Sequence, residues 1–368
     1  MGKNRFATRW TIFLIAWVTI GLVGFYHQEK LRYLLSKINL LGIATNQGFD
    51  QRHRGKFDYI GDFVVSSQSP YSLQDLLGEE SIRERAKIKG SVLIPFVKLR
   101  SNSKERIPAV VFVPTSLGAL KDRDRERLEV LNSMGIATAV FDSFTPRNVY
   151  GWTGHHSERL SNAMVLSDAF AVLKFLRENF SREIDPAKIA ILGGSKGGEI
   201  ALLAGWRPVV ERLDPGGLGF AAHIAYYPFC YNYEDPRFTP APMILFIGEE
   251  DNWALPDRCY EFKRQVAQSG GNILLKVYKN AYHGFDSLTP LRVIDGPHSR
   301  EKCKWAISAE GSLHEAKMGL DQNSIERARI ANRSCGEKGK VKIGGNVDAK
   351  RQSYLDLITF VNAIFRSE

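Results

Sequence analysis

No internal repeat runs through these 368 residues, and no basic stripe interleaved with aromatics appears in their central part. The first absence excludes solenoids and propellers. The second removes nucleic acid as the partner behind 50 Lys and Arg against 40 Asp and Glu, a formal net charge of +10. Metal-ligand spacing is scarce as well: His155-His156 with Glu158 matches a ligand set only loosely, so no metal or other cofactor is expected. Charge is missing altogether from Trp10 to Tyr26, seventeen residues that follow Lys3, Arg5 and Arg9.

That uncharged run would span about 25 Å as a helix against a hydrocarbon core of about 30 Å, with Trp10, Phe25 and Tyr26 suited to the interfaces. Residues 1–26 therefore read as a transmembrane anchor or a signal peptide. Gly21 and Gly24 have cleavage-site spacing, but no A-x-A stands there and the run is long for an h-region, which favours an uncleaved membrane-spanning helix. Residues 1–60 carry nine Lys and Arg against three acids, a surplus suited to anionic lipid. The rest of the chain is then expected outside the cytoplasm, on the periplasmic side. Cysteine is sparse at four, Cys230, Cys259, Cys303 and Cys335, an even number that fits disulfides in an exported protein. Three connectivities are possible. The preferred one is Cys230–Cys259 and Cys303–Cys335, because the first two border consecutive strand-end loops and the second two bracket one inserted segment.

With 44% hydrophobic and 24% charged residues, the remainder has the composition of a folded globular protein. Residues 27–84 read as a polar connector with one short helix near Ser72, and the folded body as 85–368. Strand and helix signals alternate there: strands at 86–95, 109–114 and 137–141, helices at 122–134 and 161–179, then strands at 221–227, 242–248 and 273–278 with a helix at 256–268. This predicts an α/β fold with a mainly parallel sheet and helices on both faces. About 288–350 breaks the pattern and reads as an insertion on the top face. The closing helix, 352–365, is expected to turn Leu355, Ile358, Phe360, Val361 and Ile364 inward.

The chain is organised around Ile189–Leu203, I-A-I-L-G-G-S-K-G-G-E-I-A-L-L. It reads as strand, tight turn and helix, and its Gly193-Gly194-Ser195-Lys196-Gly197 fits G-x-S-x-G, where a strained serine is pushed out above the sheet. A Cβ at Gly193 or Gly197 would collide with neighbouring backbone. Reactive loops of such sheets gather at the carboxyl ends of strands. Two later strand-end loops offer what a serine nucleophile lacks: Gly248-Glu-Glu-Asp-Asn-Trp253 an acid, with Asp251 preferred over Glu249 and Glu250, and Ala281-Tyr-His-Gly-Phe-Asp286 an imidazole, His283. The order Ser195, Asp251, His283 is that of α/β-hydrolases.

Together with Val140-Phe-Asp-Ser-Phe-Thr-Pro-Arg147, these stretches resemble the dienelactone hydrolase family of the α/β-hydrolase superfamily, in its serine-bearing exported branch. The resemblance covers about residues 86–290 plus the terminal helix. It implies ester or lactone hydrolysis through an acyl-enzyme, with the triad falling on Ser195, Asp251 and His283. Serine where the archetypal members use cysteine argues against dienelactone as the substrate. Oxyanion donors are expected from the Lys196 N–H and from the loop after the strand at 109–113. Relatives commonly place His-Gly there; this chain has Pro114-Thr115-Ser116-Leu117-Gly118, and since Pro114 lacks an N–H the expected donor is Ser116. Arg147 and Trp253 are candidates for holding substrate, Arg147 as a planar fork for a carboxylate or as a structural arginine. Two other readings remain: a non-catalytic envelope protein binding a ligand or partner on a hydrolase scaffold, favoured by the altered oxyanion loop and the insertion, and a peptidase or acyltransferase using the same triad.

Overall fold

A computed structural model describes residues 59–78, 84–95, 105–118, 120–149, 159–299, 302–335 and 337–365, all within the unit 54–368 of the two into which the chain divides. The expected anchor at 1–26 and the His155-His156-Glu158 cluster lie outside the described residues. Among the described residues no helix is long and apolar enough to cross a membrane.

Eight strands form the central sheet: β1 (Tyr59–Gln68), β2 (Arg85–Ile94), β3 (Ile107–Val113), β4 (Ala137–Asp142), β5 (Ile184–Gly194), β6 (His223–Tyr226), β8 (Met243–Gly248) and β9 (Ile273–Tyr278), with β7 (Asn232–Tyr233) outside it. Their spatial order is β1-β2-β4-β3-β5-β6-β8-β9. β1 and β2 run antiparallel to their neighbours, and β4 through β9 are mutually parallel. This is an α/β-hydrolase-like architecture. β8 is buried at every residue and β3 from Ala109 to Val113, which requires cover on both faces. β9, at the edge, alternates instead and leaves Leu274 46% exposed. The register of β3 against β5 slips between Ile107 and Ala109, at Pro108, which has no N–H for the ladder.

The folded body starts earlier than the sequence reading placed it. β1, inside the expected connector, pairs with β2 over ten residues, Tyr59↔Ile94 to Gln68↔Arg85. An edge strand with Val64 57% exposed carries too weak an apolar pattern to stand out. The short helix does form, at Leu73–Leu77, with Ser72 and Asp75 exchanging the two bonds of a capping box. The last helix begins at Val347, not 352, and its buried face is Ala349, Ser353, Leu357, Phe360, Val361 and Phe365. Leu355, expected inside, is 51% exposed, so the inward stripe is rotated from the apolar one.

The inserted segment is less irregular than expected. β10 (Arg292–Ser299) pairs antiparallel with β14 (Glu337–Ile343), and β11 (Trp305–Ile307), β12 (Leu313–Glu315) and β13 (Leu320–Asp321) make a small sheet with β7. Strands of two or three residues leave no readable period. The disulfides are Cys230–Cys259 and Cys303–Cys335, the preferred pairing. The first ties the loop after β6 to the helix Pro256–Gln268, and the second staples the insertion to the end of its helix Ile325–Cys335.

Arg147 corrects an expectation. Its fork grips Asp168 of the helix Asn162–Asn179 at 2.7 and 2.9 Å and also donates to the carbonyl of Ser143 at 2.9 Å. The Arg147 side chain is 7% exposed and Asp168 not at all, so the guanidinium is committed to the fold and cannot clamp a substrate carboxylate. Burial pushes the Asp168 carboxyl above its ordinary range, against the pull of the Arg147 bonds. Arg147→Met strands that carboxylate and should cost about 3–5 kcal/mol in urea unfolding.

His223 on β6 is fully buried. Its Nδ1–H donates to the Ala201 carbonyl at 2.9 Å, while Nε2 finds no hydrogen-bond partner among the described residues. Desolvation lowers its pKa from 6.5 to about 4. Because the folded value lies below the unfolded one, the unfolded chain binds the extra proton first. Stability should therefore be intact above about pH 6.5 and fall toward pH 4, by up to about 1.4 kcal/mol per unit. Denaturant melts across that window check it, and His223→Asn should flatten the slope.

Candidate active site

Ser195 sits between β5 and the helix Lys196–Leu203 at φ 52°, ψ −119°, a region that non-glycine residues avoid. Its neighbours explain how it is kept there. A Cβ built on Gly193 would lie 2.3 Å from the Gly197 carbonyl carbon, and one on Gly197 2.2 Å from the Val113 oxygen. The turn is closed by the Ser195 N–H donating to the Tyr226 carbonyl at 2.9 Å. Strand, helix and the end of β3 thus meet at backbone contact, and Ser195 is the residue left to turn outward.

Asp251 follows β8 and is 2% exposed. Its Oδ1 accepts from the N–H groups of Trp253 at 2.9 Å and Ala254 at 2.8 Å. Its Oδ2 lies 2.9 Å from His283 Nδ1, and His283 Nε2 lies 3.0 Å from Ser195 Oγ. A carboxylate cannot donate, so Nδ1 carries the proton and Nε2 is left to accept from the serine hydroxyl. The three side chains expected together are within hydrogen-bonding distance in sequence. Glu249 and Glu250 are exposed, and Asp251 is the acid bonded to the imidazole.

The oxyanion candidates border the same turn. Lys196 opens its helix, and its ammonium donates to Asn162 Oδ1 at 2.9 Å. Ser116 is a central residue of the turn closed by Gly118 N–H to the Thr115 carbonyl at 3.0 Å. Its own N–H makes no hydrogen bond among the described residues, and Gly197 abuts the oxygens of Val113 and Pro114 just before it. Trp253 stands with its ring centroid 4.9 Å from that of His283.

Several neighbours were missed in sequence. The Tyr227 ring lies 4.9 Å and the Phe229 ring 6.3 Å from the imidazole. Phe229 and Trp253 also open a cleft lined by Tyr231, Leu255, Arg258 and Trp305. Tyr227 directly follows β6, so the strand-end rule used for the other loops would have found it. The inserted β14 reaches both reactive loops: Asn252 donates to the Lys340 carbonyl at 2.8 Å and accepts from the Lys342 N–H at 3.0 Å, while the Gly344 N–H donates to the His283 carbonyl at 3.1 Å. Among the described residues no cluster of His, Cys, Asp and Glu could hold a metal ion.

Residues 142–305 match the model of the dienelactone hydrolase family. Among solved structures, the chain is similar to a dienelactone hydrolase-like promiscuous phosphotriesterase from metagenomic libraries, at 15% identity and TM-score 0.51, covering 83% of this chain and 99% of that one. It is also similar to a putative dienelactone hydrolase from Klebsiella pneumoniae, at 16% identity and TM-score 0.45 over 62% of this chain and 89% of that one. A thermophilic esterase from the planctomycete Thermogutta terrifontis is 19% identical, with TM-score 0.42 over 54% of this chain and 79% of that one. At 15% identity the likeness to the phosphotriesterase speaks for the fold alone. No match was found among curated proteins. The family match bears out the resemblance read from the motifs: the matched stretch, residues 142–305, is the one that contains Ser195, Asp251 and His283.

Proposed function

We propose that the protein is a serine hydrolase that cleaves carboxylic esters or lactones through an acyl-enzyme, with Ser195, His283 and Asp251 as its triad and without a cofactor. The observation that carries this reading is the relay Asp251 Oδ2, His283, Ser195 Oγ, with links of 2.9 and 3.0 Å. His283 Nε2 takes the hydroxyl proton as Ser195 Oγ bonds to the carbonyl carbon. Asp251, holding Nδ1–H, keeps the ring in that tautomer and stabilises the imidazolium. The oxyanion is received by the N–H groups of Lys196 and Ser116, each worth about 10² to 10³ in rate. The alkoxide leaves with the proton returned from Nε2, and water repeats the cycle on the acyl group. Trp253 and Phe229 wall the space beside the imidazole and would contact the substrate.

Two disulfides are the form expected of an oxidising compartment. With the uncharged stretch Trp10–Tyr26 behind a basic terminus, they support a hydrolase held at the membrane by its N-terminal helix, with its body on the periplasmic side. A fluorophosphonate probe should label the wild type and leave Ser195→Ala unlabelled; labelling that persists in that variant ends the assignment. His283→Ala should lower turnover of p-nitrophenyl esters by up to about 10⁶ if the three act as a unit.

A further inference from the structure

Asp286, three residues past His283, is fully buried together with Asp124 and Arg127 of the helix Asp122–Ser133. Arg127 Nη2 lies 2.9 Å from Asp286 Oδ2 and 2.9 Å from Asp124 Oδ1. Arg123 Nε stands 3.9 Å from Asp286 and 4.0 Å from Asp124. Two cations and two anions make a neutral group. Taking each ion out of water costs several kcal/mol, so an apolar filling of the same volume would serve packing as well or better. The location of the group explains it better than stability does.

Tyr227 joins this group to the imidazole. Its hydroxyl donates to Asp286 Oδ1 at 2.9 Å and accepts from Arg127 Nη2 at 3.4 Å. Burial pushes the phenol up, so it stays protonated and remains a donor. Its ring meets the His283 ring edge to face, and its hydroxyl lies 3.0 Å from a Cβ built on Gly194, the residue before Ser195. Its backbone is held at φ 38° with the N–H donating to the Phe246 carbonyl at 2.6 Å. Arg123 reaches the other side of the loop, with Nη1 3.2 Å from a Cβ built on Gly284.

We propose that Tyr227 and Asp286, locked by Arg127, are positioning residues for His283: the buried ion group fixes the phenol, and the phenol ring fixes the imidazole against Ser195. This rests on the triad reading above. The charged and titratable groups around the imidazole are Asp251 with the exposed Glu249 and Glu250 after β8, Asp286 on its own loop, Tyr227 after β6, Arg123, Asp124 and Arg127 from the helix, and Lys340 and Lys342 on β14. Of these, Asp286 is the buried anion on the imidazole's own loop, and its loss leaves a net positive group beside the ring.

The test uses the full chain, with kcat, KM, melting temperature and the kcat/KM–pH profile on a p-nitrophenyl ester, and fluorophosphonate labelling of Ser195→Ala as control. Tyr227→Phe should fold, melt within a few degrees of wild type, keep KM within about two-fold and lose about ten-fold in kcat. Asp286→Asn keeps the shape and an acceptor for the phenol but removes the charge. It should move the acidic limb of the profile to lower pH by about half a unit to one unit, because an adjacent positive charge disfavours the imidazolium. Adding Arg127→Met restores neutrality and should return the limb toward its wild-type position. Wild-type kcat in folded Tyr227→Phe, or an unmoved limb in folded Asp286→Asn, overturns the proposal while the control still supports the triad. If Asp286→Asn fails to fold, Tyr227→Phe decides alone. Labelling that survives Ser195→Ala ends both readings.

Discussion

Three backbone segments meet so closely at the end of β5 that neither Gly193 nor Gly197 has room for a side chain. Gly193 faces Gly197, Gly197 faces the oxygens of Val113 and Pro114, and Ser195 between them is held at φ 52°. The surrounding sheet holds that strain. β5 lies between β3 and β6, both buried, and a shift of the turn would have to move all three strands. The serine is therefore held, half-buried, at a fixed point before any other group of the site is considered.

Imidazole and carboxylate come to that point on loops, and both loops are braced. Asp251 is fixed by two backbone N–H groups of its own turn. The inserted β14 then joins the two loops from outside, through Asn252 on one side and the Gly344 bond to the His283 carbonyl on the other. The segment that interrupts the regular alternation is thus part of what holds the relay together. From within, the ion group of Arg127 with Asp124 and Asp286 holds the hydroxyl of Tyr227, whose ring meets the same histidine. The disulfide Cys230–Cys259 ties down the loop that carries Phe229.

Charge placement decides which cations are available to a ligand. Arg147 and Arg127 are almost wholly buried and each is committed to carboxylates, one to Asp168 and the other to Asp124 and Asp286. Neither can neutralise a substrate without leaving a buried anion unpaired, at a cost of several kcal/mol. The surface beside the imidazole is instead aromatic, with Trp253, Phe229 and Tyr227 around it.

The sequence by itself determined the alternation of β3 to β9 with their helices, the glycine-packed turn at Ser195 and the candidate acid and base, because each is a local signal: a period of two or of 3.6, a steric demand for glycine, a residue type after a strand. It also favoured the disulfide pairing found, from position alone. It missed β1, an exposed edge strand with a weak pattern, and the two- and three-residue strands of the insertion. It turned the last helix the wrong way for Leu355, since an apolar residue can stay outside when the packing stripe passes beside it. Only the tertiary structure decided between Asp251 and its two glutamate neighbours, committed Arg147 to Asp168, and brought Tyr227 to His283 and Asp286 and Arg127 to Tyr227. Those choices depend on contacts between residues 21 to 159 positions apart, and no window along the chain contains both partners.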